Sequence, residues 1–125
     1  MNKHSANPFR NALIGILETY RSERNFKIHV IIALVAVGLA LWLEVSDMEW
    51  CWIALCIAIV FLAELLNTAI EALVDLASSD YHPLAKKAKD AAAGSVLIAA
   101  VFSFIVGCVI FLPKLWFLFF GSHVV

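Results

Sequence analysis

The sequence predicts an all-α membrane protein, with three transmembrane helices following an N-terminal amphipathic surface helix. Three observations predict it. Hydrophobic residues make up 63% of the 125 residues and the mean hydropathy is +0.92, well above the roughly 45–50% apolar content of a soluble domain. Three long apolar stretches interrupt the chain, and its charges gather between them. The length leaves room for a single membrane-embedded unit over residues 1–125 and none for a separate nucleotide-binding domain. With 9 basic and 10 acidic residues, the chain has no nucleic-acid signal.

The surface helix is placed at residues 8–25. Phe9, Leu13, Ile16 and Tyr20 recur along one helical face, while Arg10, Glu18, Arg21 and Ser22 take the other. Pro8 suits a helix start. Such a helix either lies on the cytoplasmic membrane surface or packs on the bundle. Residues 1–27 lack an apolar segment followed by a small-residue cleavage site, so membrane insertion is expected to use retained helices.

The first span covers residues 28–43, with His29 as its polar interruption. It is slightly short of the roughly 17–25 residues a span needs, which puts Phe26 and Trp42 near its ends. His29 is read there as a packing residue and not as a metal ligand. The second span covers residues 50–74. The third covers residues 91–112, with Asp90 as its N-cap and Pro113 as its stop. Trp42, Trp50, Trp52 and Trp116 fall where aromatic belts are expected. Cys51, Cys56 and Cys108 lie inside spans without metal-ligand spacing and read as packing residues.

Charge sets the orientation. Lys3, Arg10, Arg21, Arg24 and Lys27 precede the first span, and Lys86, Lys87 and Lys89 separate the second from the third. The loop between spans one and two carries Glu44, Asp47 and Glu49 without Lys or Arg. The positive-inside rule then makes the N-terminus and second loop cytoplasmic and the acidic loop external.

The second span carries the chemistry. Glu64, Asn67, Glu71 and Asp75 are spaced three, four and four residues apart, so they line one helix face. That row covers roughly 16 Å from mid-bilayer toward the cytoplasm. A carboxylate at the bilayer centre costs roughly 2.5–3.5 kcal/mol on insertion scales, so an aligned row of acids marks a site. Carboxylates there can bind Mg²⁺, act as general bases or relay protons. Three nearby lysines favour a phosphate-bearing ligand, although cytoplasmic flanks are commonly basic in any case. Gly15, Gly38, Gly94, Gly107 and Gly121 are isolated and no G-x-x-x-x-G-K-[ST] occurs, which excludes a P-loop mechanism.

The segment Glu64-Leu-Leu-Asn67-Thr-Ala-Ile-Glu71-Ala-Leu-Val-Asp75, with Tyr81-His82-Pro83, Ala88-Lys89-Asp90 and Glu23-Arg24-Asn25-Phe26-Lys27-Ile28-His29, resembles the prokaryotic integral-membrane diacylglycerol kinase and undecaprenol kinase family. The resemblance covers nearly the whole chain, up to Pro113. It implies an ATP- and Mg²⁺-dependent lipid kinase of the bacterial inner membrane, assembled as a homotrimeric bundle with sites shared between subunits.

By the same resemblance, Glu64 is the catalytic base that takes the proton from the lipid's primary hydroxyl, and Asn67 orients that hydroxyl or a phosphate oxygen. Glu23 and Glu71 are the metal-binding glutamates, holding Mg²⁺ against the ATP phosphates. Lys89 and Asp90 contact the nucleotide, with Asp80, Tyr81, His82 and Asn11 at further nucleotide positions. Asp75 supports this network. The His82-Pro83-Leu84-Ala85-Lys86 run and Ala91-Ala92-Ala93-Gly94 lean toward the undecaprenol kinase branch, with a strict diacylglycerol kinase as the alternative. Outside the family, a proton-translocating subunit or an assembly factor remains open.

Overall fold

The computed structural model describes residues 7–121, which form four helices: α1 (Pro8–Ser22), α2 (Arg24–Trp42), α3 (Asp47–Ala77) and α4 (Pro83–Phe120). The last three are long and apolar enough to cross a membrane.

Helix α1 starts where Asn7 Oδ1 accepts from the Phe9 and Arg10 N–H groups, at 3.0 and 3.3 Å. That bond satisfies donors a helix leaves open at its start. It ends at Ser22 and not at residue 25, because Glu23 is extended (φ −100°, ψ 115°) and breaks it from α2. Phe9, Leu13 and Ile16 are exposed on the protomer. Thr19 is buried and donates its hydroxyl to the Gly15 carbonyl at 2.9 Å.

Phe26 is buried against Phe61, with ring centroids 5.2 Å apart. It therefore packs inward, where the sequence alone suggested a boundary position. A tight turn follows α2, with Glu44 in the left-handed region (φ 48°). A capping box then opens α3: Glu49 N–H donates to Ser46 Oγ at 3.2 Å, and Ser46 N–H donates to Glu49 Oε2 at 2.8 Å.

Helices α3 and α4 form the closest pair. Ala63 and Ala99, with Val60, are buried between them, as small residues allow. A second cluster of Ala40, Val45, Ile53 and Ile110 closes the far end. Lys114 Nζ lies 3.2 Å from Glu49 Oε2 there. By contrast, α2 and α4 barely touch.

Two expectations for α4 fail. It begins at Pro83 with His82 as its cap, whose Nδ1 accepts from the Leu84 N–H at 3.1 Å. Asp90 is thus inside the helix and caps nothing. Pro83 is the better start signal, since a first-turn residue has no N–H partner to lose. Helix α4 also continues through Pro113 to Phe120. Proline's φ is already helical, and the freed backbone group is tolerated in membrane helices.

Candidate active site

Glu64 is the buried charge of α3, with 3% of its surface exposed. His29, on α2, puts its Nε2 3.2 Å from Glu64 Oε1. The two are close enough to attract but are not aligned as a hydrogen bond, and Glu64 Oε1 remains a buried acceptor without a donor. Burial, His29, Glu23 and Glu71 together set the electrostatic surroundings of Glu64.

One turn along α3, the Asn67 side-chain amide donates to Glu71 Oε1 at 3.2 Å. Its own Oδ1 is the second buried acceptor left without a donor. Buried acceptors without partners are uncommon, because desolvation goes uncompensated. Here two stand within one helical turn of each other.

Glu23 reaches this neighbourhood from the α1–α2 break. Its backbone N–H is held by the Thr19 carbonyl at 2.8 Å, and its Oε1 accepts from Ser22 Oγ at 3.2 Å. Further toward the α3–α4 turn, Asp75 is ion-paired with Lys89 across the two helices. Lys86 pairs with Asp90 one turn away on α4.

The sequence model of the family described as prokaryotic diacylglycerol kinase matches residues 10–111. The chain belongs to the prokaryotic diacylglycerol kinase family. It is therefore a lipid kinase, built on three apolar helices. It is 52% identical over 107 residues to the undecaprenol kinase of Bacillus subtilis, covering 86% of this chain and 87% of that one. The diacylglycerol kinase of Synechocystis is 42% identical over 108 residues, covering 86% and 62%. That of Escherichia coli K12 is 34% identical over 96 residues, covering 77% and 79%.

Among the residues singled out from sequence for this lipid kinase, Glu64, Asn67, Glu71 and Glu23 come together. Lys89 joins them at one remove, through Asp75. Asp80, His82 and Asp90 make other contacts in the protomer. Asp80 accepts from Ser78 Oγ through its carbonyl at 2.8 Å, His82 caps α4, and Tyr81 is 80% exposed. Asn11 sits exposed on α1.

His29 was missed as a site residue. A packing role was assigned to it, yet it is the side chain that meets the buried acid. Its spacing carried one unused signal: as the sole polar residue in an apolar span, it needs a polar partner on a neighbouring helix.

Proposed function

We propose that this lipid kinase transfers the γ-phosphate of ATP to the primary hydroxyl of a polyprenol, undecaprenol, in the bacterial inner membrane. The observation that carries the reading is Glu64 Oε1, a buried acceptor with no donor of its own. A lipid hydroxyl is the donor such a group lacks. Similarity to the undecaprenol kinase of Bacillus subtilis at 52% identity favours the polyprenol.

The residues suit the chemistry. Phosphoryl transfer needs alignment and charge neutralisation more than covalent participation. Glu64 receives the hydroxyl proton as the hydroxyl oxygen attacks the γ-phosphorus, and ADP leaves. Asn67 has committed its amide N–H to Glu71, so its Oδ1 is free to orient the hydroxyl.

Glu71 and Glu23 each have one oxygen engaged by a neutral donor and another to offer, so hard-oxygen ligation fits both. No three His, Cys, Asp or Glu side chains converge on a metal position among the described residues of one protomer. Mg²⁺ suits such a sparse site, since it is bound by one or two carboxylates plus substrate phosphates and water. Bound there, it supplies positive charge against the ATP phosphates. Lys89 adds to that charge, with Asp90, Asp80, Tyr81, His82 and Asn11 toward the nucleotide.

In this reading the N-terminus and the α3–α4 turn face the cytoplasm, where ATP is. Helix α1 lies on that surface with Phe9, Leu13 and Ile16 in the lipid headgroup region. A homotrimer supplies the enclosing surface that three helices lack.

A second reading has its own support: the matching family model and the Synechocystis and Escherichia coli relatives carry the name diacylglycerol kinase. Incubating the purified protein with ATP, Mg²⁺ and either undecaprenol or diacylglycerol in one detergent decides between them. Labelled undecaprenyl phosphate is the expected product. Exclusive formation of phosphatidic acid would establish the second reading instead.

A further inference from the structure

A general base must begin as a carboxylate if it is to take a proton. The surroundings of Glu64 oppose that form. The side chain is 3% exposed and its Oε1 has no donor, and burial out of water favours the neutral acid. Two further carboxylates act on it, Glu23 from the α1–α2 break and Glu71 from about two turns along α3. Like charges oppose ionisation as well. As the base of a lipid kinase, Glu64 therefore needs a positive charge beside it.

The lysines and arginines are committed elsewhere. Lys89 pairs with Asp75, about 16 Å along α3 from Glu64. Lys86 pairs with Asp90 near the same turn, and Lys87 is exposed there. Lys114 lies 3.2 Å from Glu49, about 22 Å the other way along α3. Lys27 donates to the Arg21 carbonyl at 3.0 Å, while Arg10, Arg21 and Arg24 are exposed. Cys56, an inward-facing thiol of α3, is about 12 Å from Glu64. Beside the acid itself stands His29 of α2, with its Nε2 3.2 Å from Oε1. The contact is not aligned as a hydrogen bond, so what the ring offers there is charge. Opposite charges within about 4–6 Å favour one another's charged form.

We infer that His29 is a positioning residue for the transfer: as an imidazolium it holds Glu64 in the carboxylate form that takes the lipid hydroxyl proton. The inference rests on the reading of Glu64 as the base and adds the group that keeps that base charged. In the step itself the hydroxyl O–H bond breaks and its proton goes to Glu64. The freed oxygen bonds to the γ-phosphorus as the bond to the bridging oxygen breaks, and that electron pair leaves on ADP. His29 keeps its proton throughout and acts through Glu64.

The test removes the charge and then restores it. His29→Gln keeps a polar side chain at that position without a charge, and His29→Lys returns a cation. The kcat/KM for the acceptor lipid is measured against pH in detergent, at saturating ATP and Mg²⁺. The acceptor is undecaprenol or diacylglycerol, whichever the wild type phosphorylates. In His29→Gln the acid limb of the profile is expected to move up by about one pH unit or more. Below the limb the loss is then about tenfold or more, and at the alkaline end the variant matches wild type. His29→Lys is expected to bring the limb back toward its wild-type position. An unmoved limb in His29→Gln overturns the inference, and so does a loss by the same factor at every pH.

If His29→Gln does not fold, the ring is read directly. Replacing the other three histidines (His4→Asn, His82→Asn and His123→Asn) leaves His29 to be labelled with ¹⁵N. Two protonated ring nitrogens at neutral pH support the inference, and a neutral ring overturns it. Glu64→Gln separates this role from the reading beneath it. Near-normal turnover in Glu64→Gln would remove the base and the role of His29 together. An inactive Glu64→Gln beside an unmoved limb in His29→Gln would overturn the role of His29 alone.

Discussion

His29 and Glu64 face each other across α2 and α3, with Nε2 and Oε1 3.2 Å apart and Glu64 3% exposed. This contact joins the first span to the buried acid of the second. Removing the imidazole leaves the acid with less compensation for its burial. His29→Ala is expected to destabilise the folded protein by about 1–3 kcal/mol. Adding Glu64→Gln to that variant should recover most of the loss, because a neutral amide is easier to bury than a carboxylate. Denaturant unfolding of the two variants and wild type in one detergent measures both effects. Equal stability of all three would show that the contact contributes nothing.

Glu64→Gln alone separates chemistry from folding. The amide keeps the shape of the side chain but cannot take up the hydroxyl proton. Phosphorylation is expected to fall by about 10²–10⁴, the usual contribution of a general base, with helical content unchanged by circular dichroism. Near-normal turnover at saturating lipid would remove Glu64 from that role.

Glu71→Gln and Glu23→Gln test the metal assignment. Each retains an oxygen that can accept from Asn67 or Ser22 but loses a charged ligand. The Mg²⁺ concentration needed for half-maximal activity should rise about tenfold or more in each, by the loss of one carboxylate from a sparse site. Chelation with EDTA should abolish wild-type turnover, and added Mg²⁺ should restore it. Wild-type Mg²⁺ dependence in both folded variants would refute the assignment.

Lys89 and Asp75 join α4 and α3 near the turn between them through an exposed pair. Pairs of that kind contribute about 0–1 kcal/mol, so Asp75→Asn should leave stability nearly unchanged. Lys89→Met should instead raise the KM for ATP, because it removes positive charge from the phosphate side. A large stability loss with an unaltered KM would make Lys89 a structural tie.

The fold was legible because its signals are local. Apolar runs mark the spans, and spacings of three and four residues place Glu64, Asn67 and Glu71 on one face of α3. Long-range contacts were not legible. His29 is near Glu64 only because α2 packs on α3 through Phe26 and Phe61, and no periodicity in α2 encodes that register. The ends of α4 were misjudged for a different reason. Proline marks a helix start at Pro83 and is accommodated inside the helix at Pro113, so the same residue carries opposite meanings. Asp90 looked like a cap by residue type, yet the helix had already begun about two turns before it, at Pro83 with His82 as its cap. Asp80 and His82, expected from sequence near the nucleotide, make local hydrogen bonds at the α3–α4 turn, and Tyr81 is exposed there.

Orientation gives the last prediction. Helix α3 runs from the acidic turn at Ser46 to the Ser78–Asp80 turn, with Glu64 between. Lys86 and Lys89 gather near the second turn, and Glu44, Asp47 and Glu49 near the first. Basic flanks are retained on the cytoplasmic side, so the face bearing Glu71, Asp75 and Lys89 is expected to meet the compartment that holds ATP. A single cysteine at Ser46, in a protein whose Cys51, Cys56 and Cys108 are replaced by alanine, should react with a membrane-impermeant maleimide on intact cells. A cysteine at Ser79 should react only after the membrane is opened. The reverse pattern would put the phosphate-binding face on the side without ATP, and the kinase mechanism derived from Glu64 could not operate.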